Sequence, residues 1–88
     1  MTEINKIRKE IDKIDKKILD LIDERFKLSL KVGNLKMIQQ IKISQPIREL
    51  EIIEKLKKIP SVVKPKYIES IWKEIISASK EIQQLDMG

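Results

Sequence analysis

The sequence contains no cysteine and no histidine. The missing cysteine excludes disulfide bonds and thiolate metal sites, and the missing histidine removes the commonest metal ligand and the usual acid–base group of enzymes. No apolar run approaches the ~18 residues of a membrane span, and the N-terminus lacks the apolar core of a secretory signal. We therefore expect a soluble, cytoplasmic protein without metal or cofactor, whose chemistry relies on Arg, Lys, Glu, Ser or Gln side chains.

Aromatic residues are scarce, with one Trp, one Tyr and one Phe, whereas charged residues are abundant. Lys and Arg number 19 and Asp and Glu number 14, which gives a formal net charge of +5. A basic balance favours phosphate binding, but here the two signs alternate along the chain, which is typical of solvated helix faces. Because few aromatic side chains are present to stack on bases, we expect no nucleic-acid partner.

The hydrophobic pattern predicts an all-α fold that opens with a very long helix. A chain of 88 residues forms at most one domain, and we expect a single helical domain over residues 1–88. The first helix is predicted from Ile4 to about Ile41, with Thr2 as its N-cap. It would be a rod of roughly 57 Å, longer than a globule of this chain length is wide. A partner chain is therefore needed to cover it.

Two shorter helices are predicted after the first, and each opens on a proline. The second spans residues 46–59, with Ser44 or Gln45 as its cap and Pro60 as its terminator, and the third spans residues 65–85. The predicted apolar faces are Ile47, Leu50, Ile53 and Leu56 on the second helix, and Ile68, Ile71 or Trp72, Ile75 and Ile82, with Ser79, on the third.

A charged residue interrupts the apolar seam of the first helix. Counted in heptads from Ile4, the a and d positions are Ile4, Ile7, Ile11, Ile14, Ile18, Leu21, Arg25, Leu28, Val32 and Leu35. An aliphatic seam of this kind is predicted to be buried against other helices. The Arg25 guanidinium cannot lose its charge to escape burial, so it must meet an anion. That anion is either a protein carboxylate or a ligand.

Further polar residues favour a ligand as that anion. Lys36 lies 11 residues after Arg25, about three helical turns, so both side chains point to similar sides of the helix. The others are Arg48 and Glu49 in the first turn of the second helix, and Ser79 and Gln83 one turn apart on the third, where they continue the line set by Trp72 and Ile76. Taken singly each signal is weak, because a solvated or internally paired side chain explains it at least as well. Together they describe a cationic pocket with one carboxylate and two neutral hydrogen-bonding groups.

Arg8 adds a geometric argument for a shared site. It precedes Arg25 by 17 residues, or about 25 Å along one helix, so the two cannot hold the same small ligand within one chain. If two long helices pack antiparallel, however, Arg8 of one chain can approach residues 25–36 of the other.

These residues, in this order, resemble the all-helical (AroQ-type) chorismate mutases. The similar segments are Ile7–Asp15, Glu24–Arg25, Val32–Lys36, Pro46–Glu49 and Ile75–Ser79, together with Gln83. The resemblance covers nearly the whole chain. It implies an intertwined homodimer with two active sites, each built from both chains, that rearranges chorismate to prephenate in phenylalanine and tyrosine biosynthesis. It leaves open whether the chain acts alone or is fused to, or associated with, another enzyme of that pathway.

The resemblance also implies a role for each polar residue. The partner's Arg8 and Arg25 would hold the two substrate carboxylates, Lys36 and Gln83 would contact the ether oxygen of the breaking bond, Glu49 would bind the ring hydroxyl, and Arg48 and Ser79 would support the pocket. Gln45 is a further substrate-binding position, and here the chain departs from the family, because many members have Asp. If that position acts through its backbone the change is harmless; if it acts through its carboxylate, recognition of the hydroxyl is altered.

The implied reaction fits the residue inventory. A Claisen-type rearrangement needs no proton transfer, nucleophile or metal, so catalysis reduces to holding a compact conformer and placing donors where negative charge grows. Two alternatives remain at this point. One is an isochorismate pyruvate-lyase on the same fold, and the other is a non-catalytic basic helical dimer or nucleic-acid-binding module in which Arg25 fixes the helix register.

Overall fold

The computed structural model describes residues 2–42 and 45–87, with side chains as far as Gln83. Within these ranges the chain forms three helices and no strand: α1 (Glu3–Gln39), α2 (Pro46–Lys57) and α3 (Pro65–Met87). The predicted all-α fold with a very long first helix is confirmed, and each helix boundary lies within two residues of its prediction. As far as they are described, none of the helices is long and apolar enough to cross a membrane.

Hydrogen bonds close both ends of α1. The Thr2 hydroxyl accepts a hydrogen bond from the Asn5 N–H at 3.2 Å, as predicted for an N-cap. At the other end Gln40 adopts a left-handed conformation, with φ 58° and ψ 36°, and the Ile41 N–H donates to the Lys36 carbonyl at 2.8 Å. Such a turn satisfies carbonyls that a helix end leaves without partners. It ends α1 two residues before the predicted boundary.

The start of α2 is fixed by Pro46, whose missing N–H costs nothing in a first helical turn. Gln45 occupies the N-cap position, but its side chain makes no capping hydrogen bond and instead donates to the Lys42 carbonyl at 3.3 Å. The prediction of Gln45 as one of two possible cap residues is confirmed by its position, and its carbonyl accepts a hydrogen bond from the Glu49 N–H at 3.1 Å. Ser44, the other predicted cap, lies outside the described residues.

The C-terminal half of α1 packs against α3 in a parallel direction. Gly33 is the one buried residue of α1, and a Cβ atom there would lie 2.9 Å from Cγ of Gln83. One turn earlier, the Ser79 hydroxyl hydrogen-bonds to the Ser29 hydroxyl at 2.6 Å. Because positions 29 and 33 meet positions 79 and 83 in the same order, the two helices run in the same direction.

α2 packs antiparallel against the other side of α3. Ile53 is buried in the middle of this contact. An ion pair closes each end: Lys80 Nζ lies 3.0 Å from Glu49 Oε1, and Lys57 Nζ lies 3.5 Å from Glu69 Oε2. α3 therefore lies between the other two helices and holds both in place.

The apolar faces predicted for α2 and α3 are only partly buried in one chain. On α2, Ile53 is buried, whereas Ile47 is 76% exposed and Leu50 is 62% exposed, so these two positions are corrected. On α3 the buried line passes through Ile76 and not through Ile75, which is half-buried. The buried members of that line are Ile68, Ile76, Ser79 and Gln83. This line faces the space that separates α1 from α2.

The N-terminal half of α1 has no cover in this chain, because every residue from 2 to 21 is exposed. α3 reaches only the later half of α1, while the molecule extends 56 Å along its longest axis. One chain alone therefore leaves this part of the seam uncovered, as expected if a partner chain is needed, and its burial against other helices stays a prediction. Soluble proteins rarely expose a continuous aliphatic stripe of this length, so this surface is suited to a second chain.

Candidate active site

An open cavity of about 290 Å³ lies between α1 and α2, and α3 forms its floor. All three helices contribute polar side chains to its lining. Seven of the eight site residues predicted from the sequence line it: Arg25, Lys36, Gln45, Arg48, Glu49, Ser79 and Gln83. The eighth, Arg8, does not. The fold thus gathers into one cavity residues that are spread over most of the chain.

The α1 wall carries Arg25, Ser29 and Lys36 on one helix face. No carboxylate among the described side chains lies within ion-pair distance of Arg25. Burial, and in second place the positive charge of Arg48, lower the pKa of the Arg25 guanidinium. A partly buried guanidinium in this state gains free energy when an anion binds. The structure therefore favours a ligand over a carboxylate of any described residue as the anion that Arg25 meets.

The α2 wall presents a cation and a carboxylate from the first turn of the helix. Arg48 lies 3.8 Å from Glu51, an exposed pair that contributes little to stability. Glu49 benefits from the helix dipole at this N-terminal position, and one of its oxygens is bound by Lys80 of α3. This wall can therefore repel or attract different parts of a small anion.

The floor of the cavity contains two buried polar residues, Ser79 at 5% exposure and Gln83 at 7%. Ser79 is satisfied by its hydrogen bond with Ser29. The Oε1 atom of Gln83, in contrast, is buried without a hydrogen-bond partner. A buried polar atom left without a partner costs about 1–3 kcal/mol, so this oxygen can still accept a hydrogen bond from a ligand or a rearranged neighbour, while donation falls to the amide nitrogen.

Two polar residues of the lining, Ser29 and Lys80, were not singled out from the sequence. Ser29 lies one helical turn after Arg25, so the helix period could have placed it on the same face. Lys80 stands between Ser79 and Glu81, in a stretch that reads as a solvated face. Only the packing of α2 against α3 shows that it reaches the cavity.

Arg8 lies on the uncovered half of α1, far from the cavity of its own chain. Its distance from Arg25 along the helix is about 25 Å. It can take part in a site only if a second chain brings it there.

The charge of the cavity limits what it can do. Its cations are Arg25, Lys36, Arg48 and Lys80, and Glu49 is the one carboxylate of the described lining. A single carboxylate cannot supply the pair that glycoside hydrolysis uses. The arrangement is instead suited to binding a small dianion and to stabilising negative charge that develops on it.

Known proteins are similar to this chain over most of its length. A family model described as chorismate mutase type II matches residues 7–84. A bifunctional chorismate mutase/prephenate dehydratase of Aquifex aeolicus is 37% identical over 96% of this chain and 25% of its own length. A chorismate mutase of Methanocaldococcus jannaschii is 42% identical over 65% of this chain and 58% of its own length. The chain thus spans a quarter of the first curated relative and somewhat more than half of the second.

Solved structures share the whole fold. Form II of the chorismate mutase from Thermus thermophilus superposes with a TM-score of 0.91 at 30% identity, covering 94% of this chain and 96% of that one. The chorismate mutase of Helicobacter pylori, solved in complex with prephenate, gives a TM-score of 0.89 at 27% identity, covering 96% of this chain and 92% of that one.

Proposed function

The chain belongs to the chorismate mutase type II family, and on that premise we propose that its cavity rearranges chorismate to prephenate. One observation carries the proposal most directly. Arg25 is partly buried with no carboxylate partner among the described side chains, and it shares the cavity with Lys36, Glu49 and Gln83. The prephenate bound to the Helicobacter pylori relative is a dianion of the size and charge that such a cavity suits.

In the proposed complex each polar side chain contacts one part of the substrate. Arg25 binds one carboxylate, and Lys36 and Gln83 donate hydrogen bonds to the ether oxygen. Glu49 accepts a hydrogen bond from the ring hydroxyl, while Arg48 and Ser79 line the cavity around it. We assign the second substrate carboxylate to the partner's Arg8, because Arg48, the other arginine of the described lining, is exposed and pairs with Glu51.

The rate enhancement then comes from two physical effects. The rearrangement breaks the C–O bond and forms a C–C bond within one molecule, so no proton and no covalent intermediate is required. Opposed charged walls hold the flexible dianion in its compact conformer, which removes an entropic part of the barrier. Lys36 and Gln83 stabilise the negative charge that grows on the ether oxygen as the bond lengthens.

The proposed enzyme is a homodimer with two shared sites. Residues 2–21 of α1 are exposed and carry an unbroken aliphatic seam, which suits packing against the same helix of a second chain. An antiparallel arrangement places Arg8 of one chain beside the cavity of the other. Each site would then contain residues from both chains.

Gln45 tests how the ring hydroxyl is recognised. Its side chain lines the cavity and donates a hydrogen bond to the Lys42 carbonyl. Because the residue is a glutamine, this position has no carboxylate to accept a hydrogen bond from the hydroxyl. We propose that recognition of the hydroxyl depends on Glu49 alone in this protein.

The Aquifex aeolicus relative joins two enzymes in one chain, a chorismate mutase and a prephenate dehydratase. We extend the proposal to a partner of that kind for this chain, an enzyme that consumes prephenate, either fused or associated. Copurification or a rise in mutase activity on mixing with a purified prephenate dehydratase would support it, and no effect of mixing would oppose it.

Subunit mixing tests the proposed function and the shared site together. Arg8→Ala and Arg25→Ala should each nearly abolish chorismate consumption, because one substrate carboxylate loses its charge-assisted partner. In a heterodimer of the two variants, one site combines both lesions and the other has none. Random exchange of equal amounts should therefore restore about a quarter of the wild-type sites.

The controls separate the ways in which this could fail. A wild-type protein that does not consume chorismate contradicts the function, and the same assay with isochorismate, following pyruvate release, detects a lyase. Heterodimers that form, as shown by mass spectrometry, without any return of activity would place Arg8 outside the site.

A further inference from the structure

Lys80 and Glu49 form an ion pair that stands in the wall of the cavity. Lys80 Nζ lies 3.0 Å from Glu49 Oε1, and both side chains are partly buried, at 32% and 25% exposure. The other carboxylate oxygen, Oε2, makes no hydrogen bond or ion pair with a described residue. The pair therefore fixes one oxygen of Glu49 and leaves the second for a hydrogen-bond donor in the cavity.

The same two residues also line a second groove, of about 350 Å³, on the opposite side of the α2–α3 contact. Glu49 thus stands at the boundary between two spaces, and its three rotatable side-chain bonds give it access to either. A cation at position 80 limits this choice, because the carboxylate must stay within hydrogen-bond distance of the ammonium group.

The placement of α2 makes such a restraint useful. Within the described residues α2 packs against α3 and not against α1, so its position beside the cavity depends on the α2–α3 contact. Gln45, at the start of α2, has no side-chain cap that would stiffen this end. The Lys80 bond joins the first turn of α2 directly to the floor of the cavity.

We propose that Lys80 is a positioning residue that holds Glu49 toward the ring hydroxyl of the substrate. This role rests on the proposed mutase function and deepens it, since it adds to the site a residue that acts through Glu49. Lys80 then contributes to recognition of the hydroxyl and not to binding of the carboxylates, which fall to arginine side chains.

A second ion pair between the same helices provides a matched control. Lys57 contacts Glu69 at 3.5 Å and Glu54 at 3.4 Å, at the far end of the α2–α3 contact and outside the cavity. The hydrogen bond from Lys73 and the charge of Lys57 lower the pKa of Glu69, so Lys57 also takes part in an electrostatic network. Lys57→Met therefore removes a comparable interhelix ion pair without touching Glu49.

The test compares chorismate with an analogue that lacks the ring hydroxyl. Lys80→Met should raise KM for chorismate about tenfold with kcat changed less than about twofold, because an interaction made in both ground and transition states is weakened. Turnover of the analogue should stay at the wild-type level. Lys80→Arg should recover most of the loss, and Lys57→Met should leave both substrates unaffected.

The free energy of unfolding in urea, measured for every variant, shows whether a substitution acts by destabilising the fold. If Lys80→Met does not fold, Lys80→Gln is used in its place. Equal losses on chorismate and on the analogue, or no loss on either, would overturn the role of Lys80 while wild-type turnover stands. Absence of turnover in the wild-type protein would instead overturn the proposed function, and this role with it.

Discussion

The two halves of α1 carry the same heptad seam and have different surroundings. From Ile4 to Leu21 every seam position is aliphatic, and none is covered within the chain. From Arg25 onward the helix packs on α3, and cationic side chains enter the cavity. The seam positions after Arg25 are also 45–61% exposed, so the two halves differ in their contact with α3 and in the polar seam residue, which lines the cavity.

The comparison teaches that burial in one chain does not measure the importance of an apolar residue. Gly33, which has no side chain, is the one buried residue of α1, because it lets α3 approach. Ile14, in the other half, is 54% exposed although it lies in the middle of the seam. We infer that the first half of the helix serves assembly and the second half serves the site.

The largest expected effect comes from Ile14→Glu, which tests the uncovered half of α1. On a monomer this exposed substitution would change stability by about 0.5 kcal/mol or less. In the proposed dimer it places a carboxylate in an apolar interface, at a cost of several kcal/mol. We expect loss of the dimer in sedimentation velocity and loss of mutase activity. Lys13→Glu, one position off the seam, is the control, and equal behaviour of the two variants would argue against an interface there.

Lys36→Ala tests the half of α1 that packs on α3 and lines the cavity. Removal of a preorganised donor to a developing oxyanion typically lowers turnover ~10²–10³-fold, so kcat should fall by this amount while the dimer persists. Steady-state kinetics and sedimentation on the same sample measure both. Lys31→Ala, exposed on the same half of α1 and outside the cavity, should have near-normal kcat. A near-normal kcat for Lys36→Ala itself would remove that residue from the site.

Gly33→Ala tests the contact between α1 and α3 alone, because it changes no polar side chain of the cavity. The new Cβ would lie 2.9 Å from Cγ and 3.1 Å from Cβ of Gln83, so that side chain must shift. Misplacement by about 1 Å can cost up to ~10²-fold in rate, and we expect a decrease in kcat within that limit.

The control for Gly33→Ala is the same substitution in a Gln83→Ala background. That background removes the 2.9 Å contact with Cγ and keeps the 3.1 Å contact with Cβ, so the loss of stability should shrink, and the helix propensity gained from alanine, up to about 1 kcal/mol, opposes what remains. Destabilisation of equal size in both backgrounds, measured by urea unfolding, would mean that Gln83 is not what Gly33 accommodates.

The smallest effect is expected for Thr2→Ala, at the uncovered end of α1. Loss of the hydrogen bond to the Asn5 N–H should lower the stability by about 1 kcal/mol, which is typical of an N-cap. In a monomer with this half uncovered, the loss would be confined to local fraying. In the proposed dimer it should lower the midpoint of global unfolding, which calorimetry on the wild type and variant can compare.

Local signals in the sequence were sufficient for the helices and for part of the site. Prolines open α2 and α3, and boundaries followed within two residues. Arg25 and Lys36 belong to one helix, so the helix period alone places them on one face. The seam predicted the uncovered half as well, although the sequence did not show that α3 would stop short of it.

Contacts between helices could not be predicted in this way. The bond between Lys80 and Glu49 joins positions 31 residues apart, and it depends on the register of α2 against α3, which no local pattern encodes. The adjacent Ile75 and Ile76 offered two phases for the apolar face of α3, and packing selected the second. The shift toward Ile76 is what brings Ser79 and Gln83 to the cavity floor.

The uncovered half of α1 also has a consequence in terms of mass action. Burial of residues 2–21 contributes free energy only when two chains meet, so under the proposed assembly the stability of each chain depends on the concentration of the others. Dilution would then remove stability and both catalytic sites together, and the thermal midpoint would rise with protein concentration. Under the proposed assembly, the length of one helix therefore makes the active fraction of the protein depend on its concentration.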